Sequence, residues 1–169
     1  MNQATPDNAA RFATWFWWLL VLVVLTAGFA WLMARQNNPN QQVVGRIDGG
    51  VAEVQLVQNR AGHYVATGEI NNTEVVLMLD TGATSVAVPL SLAEQMNLPN
   101  LGPVTLETAN GTARGYLTRL DEVRLGPIVR RDVSAVVSPG MDGDVLLGMS
   151  FLRELELVQR DRTLLLRQY

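Results

Sequence analysis

The longest apolar run in the chain extends from Phe12 to Ala34 and contains no charged side chain. As an α-helix, which rises ~1.5 Å per residue, such a run can cross a ~30 Å hydrocarbon core. Aromatic side chains cluster near its two ends, as expected of residues that anchor a helix at the membrane–water interfaces. The pattern therefore predicts one transmembrane helix over residues 12–34, preceded by a disordered tail over residues 1–11.

Two other interpretations of this run are weaker. A cleaved signal peptide has an apolar core of only ~7–15 residues and a cleavage site with small residues, which the segment from Ala30 to Ala34 does not resemble. A buried helix of a soluble protein would have a polar face, whereas this run is apolar on all sides. We therefore expect a retained membrane anchor.

Arg11 lies before the span and Arg35 and Arg46 lie after it, so the distribution of basic residues gives little guidance on orientation. A short N-terminal tail followed by a long C-terminal domain is typical of a signal anchor with an exported domain. We therefore expect a single-pass membrane protein with an exported domain.

The pattern changes twice after the apolar run. Residues 35–50 are polar and rich in Asn, Gln and Gly, which predicts a flexible tether. Residues 51–169 then alternate short apolar runs with turn residues, and their number suits one small domain. The tether would hold this domain near the membrane.

The domain is predicted to be mostly β, because its apolar runs are short and turn residues recur every ~8–12 positions. Asn71-Asn72 and Asn110-Gly111 are typical hairpin turns. A short helix is expected after Ser91, which would cap it, and a second over residues 146–155. The expected strands cover 64–70, 73–79, 86–90, 104–108, 113–120, 123–125, 132–137, 155–158 and 164–167. The expected fold is a small closed barrel or sandwich with one or two short helices.

The composition of the chain reduces the number of partners and kinds of site that need to be considered. The chain carries 16 acidic and 13 basic residues, a net charge of −3, and no basic patch that would favour nucleic acid as a partner. It has no cysteine, which excludes disulfides and thiol chemistry. His63 is the only histidine and Asp142-Gly143-Asp144 offers only two carboxylates, so we expect neither a metal site nor a cofactor.

Asp80-Thr81-Gly82-Ala83 stands out from this background, because it follows the apolar run 75–79 directly. A carboxylate at the end of a buried strand is costly unless it has partners or a function. Gly82 permits a sharp turn and a close approach of a substrate backbone. Thr84 and Ser85 follow as polar groups able to hold a substrate main chain.

Two further features follow in order. The hairpin turn Asn110-Gly111 is the first, and Leu146-Leu147-Gly148 at the start of an expected helix is the second. Taken singly, each has a structural explanation: Asp80 is a turn residue, the hairpin is an ordinary hairpin, and the leucines belong to the core. A turn alone does not account for the combination with the flanking apolar strands.

The combination resembles the retropepsin-like aspartic proteases, in particular the bacterial single-pass membrane-anchored members, over about residues 62–160. The resemblance implies a small closed acid-protease barrel and a catalytic Asp80. Together with the exported domain, it implies a protein of the bacterial inner membrane whose domain lies in the periplasm. It implies that Thr81, Gly82 and Ala83 form the active loop and support a dimer. Substrate would be held by residues of the loop, of a flap and of a side-chain pocket, namely Thr84, Ser85, Asn110, Gly111 and Leu146.

One such motif per chain implies a symmetric homodimer in which two copies of Asp80 share a proton and activate a water molecule. The expected activity is hydrolysis of protein or peptide substrates. Thr84-Ser85 and Met149-Ser150 depart from the residues common in retroviral members, which leaves the substrate contacts and the dimer ion pair of that family open. The alternative is a non-catalytic, membrane-anchored peptide-binding or scaffold module on the same fold.

Overall fold

The computed structural model describes the backbone of residues 8–108 and 111–169, and side chains over 14–107 and 111–169. The chain divides into two compact units, Met1–Gln36 and Asn37–Tyr169. The described residues of the first unit form a helix, and those of the second form a β domain with two short helices. This agrees with the mostly β fold that the sequence predicts.

The first helix, α1, covers Asn8–Asn37. Within the described part of the chain it is the one helix long and apolar enough to cross a membrane, over Thr14–Asn37. The helix extends beyond the predicted span at both ends because the flanking residues also favour helix and no proline interrupts them. The guanidinium of Arg35 lies 5.2 Å from the centroid of the Trp31 ring.

Over residues 37–108 and 111–169, the second unit contains eleven strands and two short helices. The helices are α2, Leu90–Gln95, and α3, Met149–Leu152. The strands are β1 Gly45–Asp48, β2 Val51–Val57, β3 Val65–Ile70, β4 Thr73–Leu79, β5 Val86–Pro89, β6 Pro103–Thr108, β7 Gly111–Leu125, β8 Ile128–Ser138, β9 Val145–Leu147, β10 Glu156–Arg160 and β11 Thr163–Gln168.

Seven strands form one sheet in the order β3-β4-β9-β5-β8-β7-β6. This sheet closes on itself because β3 also pairs with β7, through Glu69–Arg124 and Ile70–Val123. Its interior is filled by the side chains that point inward from alternate positions. The fully buried ones include Ile70, Leu77, Val86, Val88, Leu120, Leu125, Val137, Leu147 and Phe151. The closed barrel expected from the sequence is confirmed.

A second sheet has the order β1-β2-β11-β10. One face covers the core through Val54, Leu56 and Leu166. The opposite face carries an ion-pair row across four strands, in which Glu53 binds both Arg46 and Arg167 and Arg167 also binds Glu156. The last hairpin, predicted around Asp161, is β10–β11.

Local turn chemistry explains several elements. Asn71 and Asn72 both have positive φ, 48° and 64°, and connect β3 to β4 as predicted. Ser91 does not cap α2, because the helix begins one residue earlier and Pro89 takes the N-cap position. Leu146 was expected in a helix but lies in strand β9. This strand pairs with β4 on one side and with β5 on the other.

The flexible tether predicted over 35–50 is wrong in its extent. Helix α1 runs through Asn37, and residues 45–48 form β1. Asn38 and Asn40 between them are buried, 7% and 8% exposed, and form hydrogen bonds within the domain. Asparagine side chains can form hydrogen bonds with backbone groups. The asparagines of this segment therefore attach it to the domain, although its polar composition suggested a segment surrounded by water.

Candidate active site

The loop that follows β4 is held at its first residue by β9. Leu79 pairs with Leu147 in the parallel β4–β9 ladder, and the amide of Asp80 then donates to the carbonyl of Leu147 at 3.2 Å. Strand β9 also pairs with β5 through Leu146 and Ala87. The two strands that flank the loop are therefore joined by a third strand far along the sequence, which fixes both ends of the loop.

The Asp80 side chain is half-buried and stabilises its own turn. Its Oδ1 accepts a hydrogen bond from the amide of Gly82 at 2.8 Å, and its carbonyl accepts one from Ala83 at 3.3 Å. An aspartate that bonds the backbone two residues later is typical of a tight turn. This leaves Oδ2 as the carboxylate oxygen that the turn does not use, so one oxygen orients the group and the other is available for chemistry.

Helix α3 holds the remainder of the loop. The amide of Met149 donates to the carbonyl of Ala83 at 2.8 Å, and the amide of Ser150 donates to the carbonyl of Thr84 at 3.0 Å. These are first-turn amides, which have no acceptor inside a helix. Gly148 makes this approach possible, because a Cβ there would lie 2.3 Å from the Ser85 carbonyl and 2.7 Å from that of Ala83.

Ser150 makes a second contact that sequence reasoning missed. Its Oγ accepts a hydrogen bond from the amide of Val86 at 2.9 Å, at the start of β5. The sequence offers one signal for it, a small hydroxyl residue inside an otherwise apolar helical turn. Both backbone and side chain of Ser150 therefore position the strand that leaves the loop.

A row of apolar side chains crosses five strands beside the loop. The strand registers align Met78 with Leu146, Leu146 with Ala87, Ala87 with Val136, and Val136 with Leu117. These positions alternate with the fully buried residues of the same strands, so the row lies on the outer face of the barrel. The first four are half-buried and Leu117 is 44% exposed. We call this set the apolar row.

The structure brings together most of the residues that the sequence singles out. Asp80, Ala83 and Ser85 are linked to the Leu147-Gly148 segment by a hydrogen bond or close backbone contact, and Leu146 belongs to the apolar row. Gly82 is connected to Asp80 through its amide. Thr81 and Thr84 have exposed side chains on the same loop.

The hairpin residues are separate from the loop along the sheet. Asn110 lies outside the described residues. Gly111 is the first residue of β7, opposite Thr108 and with φ 105°, and is not the second residue of the turn as predicted. Strand β8 lies between β7 and β5 in the sheet order. At Gly115 a Cβ would lie 2.2 Å from the Val137 carbonyl, which marks where the β6–β7 hairpin leaves the barrel.

The acidic residues of the β8–β9 connection do not form a metal centre. Asp142 is exposed and Asp144 is half-buried, and burial raises the pKa of Asp144. Among the described residues, no group of three or more His, Asp or Glu side chains is arranged to hold a metal ion.

Comparison with known proteins adds independent information. A family model described as "gag-polyprotein putative aspartyl protease" matches residues 66–154, a range that contains the Asp80 loop, the apolar row and α3. A solved structure, a retropepsin-like aspartic protease from Rickettsia conorii, matches with a TM-score of 0.57 at 24% identity, over 75% of this chain and 95% of that one. This likeness confirms the retropepsin-like fold.

Two curated relatives are similar along most of the chain. An uncharacterized protein in the cobV 5′ region of Sinorhizobium sp is 34% identical over 84% of this chain and 66% of its own length. Uncharacterized protein RP867 of Rickettsia prowazekii (strain Madrid E) is 24% identical over 90% of this chain and 69% of its own. The chain thus spans about two thirds of the length of these relatives.

Proposed function

The chain belongs to the gag-polyprotein aspartyl protease family, and from that membership we propose that it is an aspartic endopeptidase with Asp80 as its catalytic residue. The observation that carries the proposal is the held loop itself. Strand β9 and the first turn of α3 bind the backbone on both sides of Asp80, while one carboxylate oxygen remains outside the turn. A fixed carboxylate in a half-exposed position is what general acid–base chemistry needs.

The reaction requires two carboxylates in different protonation states. An ionised Asp80 takes a proton from a water molecule as its oxygen attacks the carbonyl carbon of the substrate. A protonated copy of Asp80 donates its proton to the carbonyl oxygen, which gives a diol. The diol then breaks its C–N bond: the amine takes the proton that the first Asp80 received from water, and a diol hydroxyl returns its proton to the second copy. Two adjacent carboxylates do not both ionise readily, so one copy keeps a proton and serves as the acid while the other is ionised and serves as the base.

The second carboxylate would come from a second copy of this chain, since the motif occurs once. A two-fold axis between two Asp80 loops gives a closed, self-complementary dimer. In that arrangement Thr81 would support the neighbouring loop. Anchoring both copies in one membrane would raise their effective concentration and favour the dimer.

Strand β10 offers an edge at which two copies could pair. It is the last strand of its sheet, because β11 separates it from β2. Its sequence, Glu156-Leu157-Val158-Gln159-Arg160, is self-complementary when two copies run antiparallel about Val158. Each Glu156 would then face the partner's Arg160, and opposite charges facing across strands are favourable.

The apolar row and the polar loop residues suit an extended peptide. Thr84 and Ser85 would hold the substrate main chain, and Met78, Leu146 and Ala87 would contact its side chains. An aliphatic surface of this kind favours apolar side chains beside the cut. The β6–β7 hairpin, with Asn110 and Gly111 at its end, would cover the bound segment and exclude water.

The same proposal includes the membrane. Helix α1 would remain as an anchor in the bacterial inner membrane, with the β domain in the periplasm. Its length and the absence of charged residues over 14–34 support insertion, and Arg35 near its end would lie at the interface.

The decisive experiment compares Asp80→Asn with Asp142→Asn in the full chain, purified in detergent. Asp142 is exposed in the β8–β9 connection and serves as the matched control. We expect Asp80→Asn to abolish cleavage of a peptide library with little change in unfolding temperature, while Asp142→Asn remains active. Cleavage retained by pure Asp80→Asn protein would end the proposal, and peptide binding without cleavage in the unaltered chain would favour a binding module.

A further inference from the structure

The segment that follows the membrane helix is fastened to the domain by the side chain of Asn40. Its Nδ2 donates to the carbonyls of Val65 at 2.7 Å and Val57 at 2.9 Å, and its Oδ1 accepts from the amide of Val57 at 2.9 Å. Asn40 is 8% exposed, so these bonds are shielded from water. Both N–H groups of this amide and its oxygen therefore form hydrogen bonds with backbone groups of the β2–β3 region.

Neighbouring residues extend the attachment back to the helix end. The Asn38 side chain donates to Thr67 Oγ1 at 3.0 Å and accepts from the amide of Asn40 at 3.0 Å. The carbonyl of Asn37, the last residue of α1, accepts from Asn59 Nδ2 at 3.1 Å. We call residues 37–40 the clasp.

The clasp binds the end of the barrel from which the catalytic loop emerges. Asn40 bridges Ala66 and bonds the Val65 carbonyl, and Val65 pairs with Met78 near the end of β4. Asp80 follows two residues later. Along this path the backbone distance from Asn37 to Asp80 is at most about 30 Å, since each extended residue adds ~3.5 Å and neighbouring strands lie ~5 Å apart.

This bound holds at any angle of the helix, because the path runs entirely within the second unit. A flexible tether over residues 35–50 could instead reach about 50 Å from the membrane at full extension, since each extended residue adds ~3.3–3.6 Å. A catalytic loop kept within about 30 Å of the end of a membrane span meets only the part of a neighbouring membrane protein that lies close to the bilayer. At ~3.3 Å per extended residue, this corresponds to about ten residues.

We infer that the substrates of this chain are membrane-anchored proteins, cut within about ten residues of their own membrane span. This inference rests on the proposed proteolytic function and on insertion of α1 into the membrane. The clasp selects substrates by the height of the cleavage site above the bilayer, and the apolar row selects the side chains beside the cut.

The experiment measures how far from the membrane the chain cuts a membrane-anchored substrate. The full chain is reconstituted in vesicles together with a single-span reporter whose unstructured stalk repeats one peptide, chosen because the detergent-solubilised chain cleaves it in free solution. Mass spectrometry of the released fragments gives the cut positions. We expect the cuts to fall in the repeats nearest the membrane. Even cutting along the stalk would overturn the inference.

Two variants test the clasp itself. A 20-residue Gly/Ser insertion between Asn37 and Asn38 is expected to move cuts outward along the stalk, whereas the same insertion before α1 should leave the pattern unchanged. An insertion after Asn37 with no effect on the pattern would contradict the inference. Asn40→Ala, which removes three hydrogen bonds, is expected to broaden the pattern, while substitution of the exposed neighbour Gln41→Ala should not.

Failure of the two proposals can be told apart. If the unaltered chain cleaves no free peptide, or if Asp80→Asn cleaves it equally well, the proteolytic function fails and the substrate inference falls with it. If the free peptide is cut in an Asp80-dependent way while the stalk is cut evenly, only the substrate inference is wrong.

Discussion

A Cβ carbon added to Gly148 would lie 2.3 Å from the carbonyl oxygen of Ser85. Real Cβ atoms do not approach a backbone oxygen so closely, so the first turn of α3 and the loop after Asp80 would have to separate. Gly148 is thus the position that lets the helix amides reach the Ala83 and Thr84 carbonyls. The loop that carries Asp80 depends on this contact for its shape.

Gly148→Ala is therefore expected to destabilise the domain by about 1–3 kcal/mol, the range typical of overpacked sites. Activity should fall further than stability, since the loop carries Asp80. The measurement is thermal unfolding of the full chain together with the cleavage rate at a temperature where both proteins are folded. Gly140→Ala is the matched control, because a Cβ at Gly140 has nothing within 4 Å. Equal behaviour of the two variants would contradict the packing argument.

Ser150→Ala tests the second support of the loop. The change leaves the amide of Val86 without its acceptor at the start of β5, and an unsatisfied polar group costs about 1–3 kcal/mol. We expect a lower unfolding temperature and a lower turnover rate, because β5 leads directly from the loop. Ser134→Ala removes an exposed hydroxyl from β8 and should change neither. A stability loss with unchanged turnover would mean that Ser150 supports the fold but does not position the loop.

The part of the site that lies in one stretch of sequence was predictable. An apolar run followed by Asp-Thr-Gly signals a strand and a turn, and both hold in β4 and in the Asp80–Gly82 hydrogen bond. Paired asparagines likewise predicted the β3–β4 turn. These features depend on residues that are neighbours in the chain, which a pattern can show.

The contacts that the sequence did not reveal join distant residues. Val86 and Ser150 are 64 positions apart, and Asn40 and Val65 are 25 apart. Nothing in the local pattern distinguishes an asparagine in a tether from one whose amide satisfies buried carbonyls. Leu146 was placed in a helix for a similar reason, since a three-residue strand is specified by its neighbours β4 and β5 and not by its own periodicity.

The pH dependence of stability follows from the ion-pair row on the second sheet. Hydrogen bonds from Arg167 and Arg46 hold the pKa of Glu53 below its usual value of 4.5. A carboxyl with a lowered folded pKa contributes stability above its unfolded pKa, and this contribution disappears as the pH falls through the folded pKa. The domain should therefore lose stability below about pH 4.5, and protonation of Glu53 should account for part of the loss.

Glu53→Gln is expected to lower the unfolding temperature at pH 7 and to make it less sensitive to pH between 5 and 3. The pKa values of Glu122, Glu154 and Glu156 are also lowered, each mainly by a hydrogen bond. The substitution should therefore reduce the pH dependence of the unfolding temperature without abolishing it. Unfolding temperatures measured across this range, with the exposed residue Glu94→Gln as control, check the expectation. If the curves of unfolding temperature against pH are parallel for Glu53→Gln and the unaltered chain, the ion-pair row does not contribute to the pH dependence of stability.

Val158→Lys tests the proposed pairing of two chains along β10. Antiparallel strands paired about Val158 would bring two ammonium groups together at the two-fold axis, and like charges facing across an interface are costly. We expect the dimer dissociation constant to rise on the order of tenfold or more, equivalent to about 1.4 kcal/mol per tenfold change. Cleavage per chain should fall at low protein concentration and recover at high concentration, because the catalytic pair forms only in the dimer.

The matched control for this substitution is Val57→Lys. Val57 lies on the same face of the same sheet and is 45% exposed against 40% for Val158, but it belongs to the inner strand β2. Sedimentation and cleavage rate of the detergent-solubilised chain, both as functions of concentration, separate the two variants. If Val158→Lys behaves as Val57→Lys does, the pairing edge is not β10. If Val158→Lys remains monomeric yet fully active at every concentration, a carboxylate from a second chain is not required, and Asp80 must act without its copy.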